Sequence, residues 1–239
     1  MYPVVNHLAD ERTRWRLAVG AVLAILVVAN VVSNRLLPAA LYVPWNLVVA
    51  VAVVLVARRF ISTDAMGFTQ YRRGLIWGLA ILGATIIVLL VAQAIPAFND
   101  LFHDKRVSAS LPTMLYQSLV RIPFGTSLLE ETAFRAALPA LFAARWGVVR
   151  GCVAASACFG LWHILPALGL NAVNPTANSV FGNGNGAVTV AVAFAVVATM
   201  AGGLFWCVLR YRSGSVLTTM IAHVATNSVA YVIAWSVGR

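Results

Sequence analysis

GLIWGLAILGATIIVLLVAQAI, residues Gly74 to Ile95, is an apolar run without one charged side chain. At about 1.5 Å of rise per helical residue, a run of this length spans the roughly 30 Å hydrocarbon core of a bilayer. Similar runs on either side predict helices near Leu17–Val32, Leu41–Ala57, Leu111–Ala144, Val148–Leu168, Ala187–Leu209 and Val216–Val237. Composition agrees: of 239 residues, 61% are hydrophobic and 10% charged, and the mean hydropathy is +0.87. Soluble domains usually carry about 25% charged residues. The expected fold is therefore an all-α polytopic membrane protein, a single transmembrane domain over residues 1–239 with seven crossings. Leu111–Ala144 is too long for one straight span. A bend or break at Pro123 and Gly125 would make an eighth crossing or a projecting helix.

The formal charge of +10 fits a membrane protein better than a nucleic-acid binder. Arginines sit at the ends of apolar runs, and no basic stripe with interleaved aromatics falls on a soluble segment. With the N-terminus in the cytoplasm, Arg12, Arg14, Arg16, Arg58, Arg59, Arg72 and Arg73 lie inside, together with Arg145, Arg150, Arg210 and Arg212. Near-neutral loops then lie outside, including the one that carries Asp100, Asp104, Lys105 and Arg106, with Arg35 and Arg239 as exceptions. Residues 58–73, RRFISTDAMGFTQYRR, read as a partly amphipathic connector at the interface. The N-terminus has the basic and apolar regions of a signal peptide but no convincing small-residue cleavage site, so an uncleaved first helix is expected. FGNGNG at 181–186 follows no strand and reads as an external connection. Cys152, Cys158 and Cys207 have no CxxC spacing and read as packing residues. One lysine against sixteen arginines, with abundant alanine and valine, points to a high-GC bacterial genome and hence a bacterial plasma membrane.

Against this background the ionisable residues inside apolar runs stand out, because such groups usually face a bundle interior or a wet cavity. SLLEETAFRAAL, Ser127 to Leu138, holds Glu130 and Glu131, the two acidic side chains outside the terminal and connecting segments. Glu131 and Arg135 have the i,i+4 spacing of a helical ion pair. Glu130 points about 100° away around the helix. FGLWH puts Phe159 and His163 one turn apart, and HVATN does the same for His223 and Asn227. Taken singly, each pattern also fits a structural role: a salt bridge, a packing histidine, an interhelical hydrogen bond. Depth brings them together. Glu130, His163 and His223 lie 15, 13 and 11 residues from the expected cytoplasmic arginines Arg145, Arg150 and Arg212, roughly 16–22 Å along straight helices.

Converging there, Glu130 would serve as a general base toward a water held by His163 and His223, and Asn227 would donate to a developing oxyanion. Glu130, His163 and His223 also form a common catalytic zinc set, with water in the open position. Either version is hydrolysis by activated water. No G-x-S-x-G occurs, and Ser127 has no evident base, so serine catalysis is disfavoured. A proton-coupled transporter would use the same groups as a relay, but no paired broken helices or internal repeat accompany them.

EETAFR, FGLWH and HVATN, as E-E-x-x-x-R, F-x-x-x-H and H-x-x-x-N in this order, resemble the CPBP family of intramembrane proteases. That family includes the CAAX prenyl endopeptidases and the bacteriocin self-immunity (ABI) group. The resemblance covers the C-terminal half, making 111–239 the catalytic core and 1–110 a set of preceding spans. It implies a helical bundle around an interior polar catalytic chamber and cleavage of a peptide bond in a membrane-associated protein or peptide. It further implies that Glu130 activates water, His163 and His223 position it, Asn227 stabilises the oxyanion, and Glu131 and Arg135 support the motif. Both a divalent metal such as zinc and a metal-free glutamate mechanism are compatible with it. The alternative from another class is a non-proteolytic immunity or scaffold protein of the same fold. Expected partners are membrane lipid and the substrate, with no nucleic acid.

Overall fold

The structure, a computed structural model, describes residues 3–103, 107, 110–182 and 184–238. Asp104, Lys105 and Arg106 of the near-neutral loop, Asn183 of the 181–186 connection and Arg239 lie outside the described residues. The described residues form helices joined by turns and contain no strand. Helix α1 (Pro3–Val31) ends in a π-helical turn (Val32–Leu36), followed by α2 (Tyr42–Ala57) and α3 (Tyr71–Ala94). A 3₁₀ segment (Pro96–Phe102) leads to α4 (Leu111–Tyr116), π-helical turns (Gln117–Ser127), α5 (Leu128–Glu131), a further π-helical stretch (Thr132–Ala137) and α6 (Leu138–Trp162). Short helices α7 (Ile164–Ala167), α8 (Leu170–Val173) and α9 (Pro175–Phe181) connect to α10 (Asn185–Ser213). The chain closes with α11 (Val216–Val224), a π-helical turn (Ala225–Val229) and α12 (Ala230–Val237).

Among the described residues six stretches are long and apolar enough to cross a membrane: Asp10–Leu36, Ala39–Ala57, Tyr71–Ala94, Leu111–Ala167, Gly186–Ser213 and Val216–Val237. The fourth, at 57 residues, is far longer than a bilayer needs. It folds back at Gly147, whose φ of 77° and ψ of 164° interrupt the helix. Contacts on either side spread symmetrically from that glycine. Gly151 lies against Ala143, Phe134 packs on Phe159, and Trp162 reaches Glu130. The stretch is thus a hairpin with two limbs. Pro123 does not split the first limb, which is helical without interruption from 111 to 146. Its backbone widens into π-helical turns around the proline, and the Leu128 N–H donates to the Pro123 carbonyl.

The connector 58–70 departs from the amphipathic reading. It is a series of turns that tucks onto the end of the bundle, with Met66 fully buried. Gly67, at φ 83°, offers its carbonyl to Val216 N–H at 3.0 Å, and the Ala65 carbonyl accepts from Arg210. Arg73 donates to the Arg212 carbonyl at 2.8 Å, and Trp15 donates to the Leu141 carbonyl at 2.8 Å. The basic flanks of α1, α3, α6 and α10 therefore meet at one end of the molecule.

Glycines set how closely the helices approach. A Cβ on Gly74 would sit 2.4 Å from Ser215 Oγ, and one on Gly78 would sit 2.6 Å from Ile221 Cδ1, so α3 packs backbone-close against α11. Gly160 likewise faces the Val196 carbonyl of α10, where a Cβ would come within 2.7 Å. Small residues at such crossings are the usual device of membrane helices. The buried core includes Val22, Val53, Leu129, Phe134, Leu138 and Leu141. Outward faces carry Leu79, Ile87 and Val91 in the open, as a lipid-facing surface requires.

Candidate active site

The site is built on the first limb of the hairpin, where α5 runs directly into π-helical turns and carries Glu130 and Glu131 into the interior. Glu131 and Arg135 are fully buried, and Glu130 is 7% exposed. The expected pair is present, with Arg135 Nε 3.5 Å from Glu131 Oε2. The guanidinium also lies 3.8 Å from the centre of the Phe159 ring. Such a desolvated cation–π contact is worth about 2 kcal/mol. The pair is electrostatic rather than hydrogen-bonded, since the guanidinium nitrogens have no hydrogen-bond partner among the described residues.

Glu131 does more than its i,i+4 spacing indicates. Its other oxygen, Oε1, is 2.8 Å from His223 Nδ1. A carboxylate oxygen accepts, so Nδ1–H donates. The ring then turns Nε2 toward Glu130, 3.8 Å from Oε2. One glutamate thus holds the histidine by one nitrogen while its neighbour faces the other. The second limb supplies the remaining support. Trp162 Nε1–H donates to Glu130 Oε1 at 3.0 Å. His163 is not within the helix, as its spacing from Phe159 implied, but caps it at φ −83° and ψ 0°. Its Nδ1 donates to the Phe159 carbonyl at 2.8 Å, and its ring meets Phe159 edge-on at 4.5 Å. Nε2 is left as its free ring nitrogen. Asn227 lies in the π-helical turn that follows His223.

Glu130, His163, His223 and Asn227 all line one cavity of about 790 Å³. Glu131 and Arg135 lie behind its wall. Several other polar residues reach the cavity without a signal in the motifs. Trp162 sits inside FGLWH but reads as an apolar packing residue until its N–H is placed. Tyr42, Asn46 and Arg121 also line the cavity. Asn46 donates to the Gly125 carbonyl at 2.8 Å, and Tyr42 lies 3.3 Å from Thr126 Oγ1. Arg121 is detectable in the sequence as a cation within an apolar run. It stands in none of the three motifs.

The expected zinc set is not drawn together in this arrangement. Among the described residues no three His, Cys, Asp or Glu side chains are grouped to hold a metal ion.

Residues 112–229 match the family described as type II CAAX prenyl endopeptidase Rce1-like. The likeness is that of this segment, 118 of the 239 residues. The matched segment is similar to a protease family, and it holds all the motif residues together with Trp162 and Arg121. With its apolar stretches, the chain is a multi-pass helical membrane protein. Among curated proteins and solved structures, none matches the chain.

Proposed function

We propose that this protein is an intramembrane endopeptidase that hydrolyses a peptide bond of a membrane-associated substrate with water activated by Glu130. The observation that carries the reading is the meeting of Glu130, His163, His223 and Asn227 at one cavity, inside a segment of protease-family sequence. Glu130 Oε2 takes a proton from a water in the cavity as it attacks the scissile carbonyl. His223 Nε2, oriented by Glu131, accepts the hydrogen bond of that water's other O–H and fixes its approach, and His163, oriented by the Phe159 carbonyl, bounds the water's position from the second limb. The Asn227 amide donates to the oxyanion that forms on the carbonyl oxygen. Glu130 then returns the proton to the leaving amine. Trp162 keeps the carboxylate aimed throughout. In this scheme the proton passes from the water to Glu130 and on to the leaving amine, by the metal-free alternative.

We further propose seven crossings, with the hairpin contributing two, and a cytoplasmic N-terminus in a bacterial plasma membrane. The basic flanks gathered at one end support that orientation. The test is cleavage of an S-farnesylated Cys-Val-Ile-Ala peptide by purified protein in nanodiscs. Glu130→Gln and His223→Ala should each abolish turnover while leaving a folded, monodisperse protein. Undiminished cleavage in both variants would falsify the catalytic assignment.

A further inference from the structure

A separate cavity of about 560 Å³ lies at the basic end of the molecule and shares no lining residue with the one that holds Glu130. Three turns enclose it: the 58–70 connector, the hairpin bend through Ala144 and Val148, and the turn at Gly214 between α10 and α11. Its polar wall sets Arg73 and Arg210 against one acid, Asp64. Arg210 is the unusual member. It is 4% exposed, and a buried guanidinium is costly unless an anion compensates it. Among the described residues no carboxylate pairs with it. Its Nη2 donates to the Ala65 carbonyl and its guanidinium lies 4.2 Å from the centre of the Tyr211 ring. Nε has no hydrogen-bond partner among the described residues. Asp64 accepts from the Thr69 hydroxyl instead. Arg73 donates to the Arg212 carbonyl at 2.8 Å, which holds it at the cavity without neutralising its charge.

The opposite wall is apolar and made of small side chains of the hairpin, Ala140, Ala143 and Ala144. An anion with an apolar continuation fits both walls, whereas a free ion gains nothing from the alanines. Position agrees. The arginine-rich flanks that surround this end mark the membrane interface, where the anion at hand is the headgroup phosphate. Arginine suits phosphate oxygens through its planar fork, and basic pockets between membrane helices bind lipid headgroups.

We propose that this cavity binds the phosphate of an anionic phospholipid, with Arg210 and Arg73 on the phosphate oxygens and the alanine wall along the glycerol end. The site stands apart from the endopeptidase reading. Its wall is tied to α11 by the Val216 N–H that donates to the Gly67 carbonyl, so a bound lipid braces the helix that carries His223. Inorganic phosphate offers the same oxygens, and the test separates the two sources.

Binding of dioctanoyl-phosphatidylglycerol and dioctanoyl-phosphatidylcholine to the purified full chain in detergent micelles is measured by native mass spectrometry. The anionic lipid should bind about tenfold more tightly than the zwitterionic one, the scale of one charge-assisted hydrogen bond. Arg210→Gln should bring that ratio to about one. Arg73→Gln, at an exposed position, should lower it severalfold without disturbing the buried packing. Arg59→Gln makes the same charge change at this end but outside the cavity, and should leave the ratio as it was. The ratio is internal to each variant, so a general loss of folding does not imitate it. Millimolar inorganic phosphate should not displace the lipid. A ratio of about one in the unmodified protein, a ratio that survives either cavity substitution, or an equal fall in Arg59→Gln overturns the proposal. Displacement by inorganic phosphate also overturns it, and assigns the cavity to the free ion.

Discussion

Adjacent carboxylates with different partners are the smallest unit of this site. Glu131 is shared between Arg135 and His223, and Glu130 between Trp162 and the cavity. Sequence spacing made the first half of this legible, because i,i+4 geometry follows from the helix alone. The contacts to His223 and Trp162 span 92 and 32 residues, so no local pattern encodes them. The tryptophan is the most direct residue to test. Trp162→Phe keeps the ring packing against Phe134 and removes the N–H. Losing one hydrogen bond to a charged group, about 1.5–3 kcal/mol, should lower kcat roughly 10- to 100-fold, with KM little changed. Steady-state kinetics on the farnesylated peptide checks this, and a fall in KM affinity with constant kcat would count against an aiming role. The metal-free scheme leads to a second expectation. Turnover should persist after prolonged dialysis against 1,10-phenanthroline, with less than stoichiometric zinc by elemental analysis. Activity lost to the chelator and restored by zinc would refute the metal-free scheme.

At the scale of elements, catalytic geometry depends on how closely two helices approach. His223 sits on α11 two residues after Ile221, and Ile221 is the residue that Gly78 of α3 admits. Gly78→Leu has no space to occupy: even its Cβ would lie 2.9 Å from Ile221 Cβ. Overpacking of this kind typically costs 1–3 kcal/mol, here by pushing α11 and its histidine away from Glu131. The expected result is a lower melting temperature and a kcat loss of at least tenfold. Gly83→Leu on the same helix, where a Cβ meets nothing within 4 Å, should leave both near the unmodified values. Equal behaviour of the two variants would show that the approach of α3 to α11 does not set the site. The apolar runs alone make most of these helices legible, including the division near residue 147. Local backbone form was not. Pro123 reads as a breaker, but π-helical turns absorb it. The 58–70 connector reads as amphipathic by its alternating residues, yet tertiary hydrogen bonds from Val216 and Arg210 make it a folded plug.

Over the whole molecule, charge and cavity are polarised in opposite directions. The arginine-rich flanks meet at the end closed by the 58–70 connector. The cavity instead draws on Ser33, Asn34 and Tyr42, at the far ends of α1 and α2. From Arg16 to Ser33 is 17 residues, about 25 Å along a helix, so this wall lies most of a bilayer away from the basic end. If the basic end is cytoplasmic, the cavity lies in the outer half of the membrane, and substrate reaches Glu130 from that side. Cysteine labelling decides the orientation. In a background with Cys152, Cys158 and Cys207 replaced by alanine, Thr63→Cys marks the basic end and Ala40→Cys the opposite one, both at exposed positions. A membrane-impermeant maleimide applied to intact spheroplasts should modify Ala40→Cys at once and Thr63→Cys only after permeabilisation. The reverse order would place the arginines outside and open the cavity to the cytoplasm. It would leave the chemistry at Glu130 intact while inverting the side from which substrate enters.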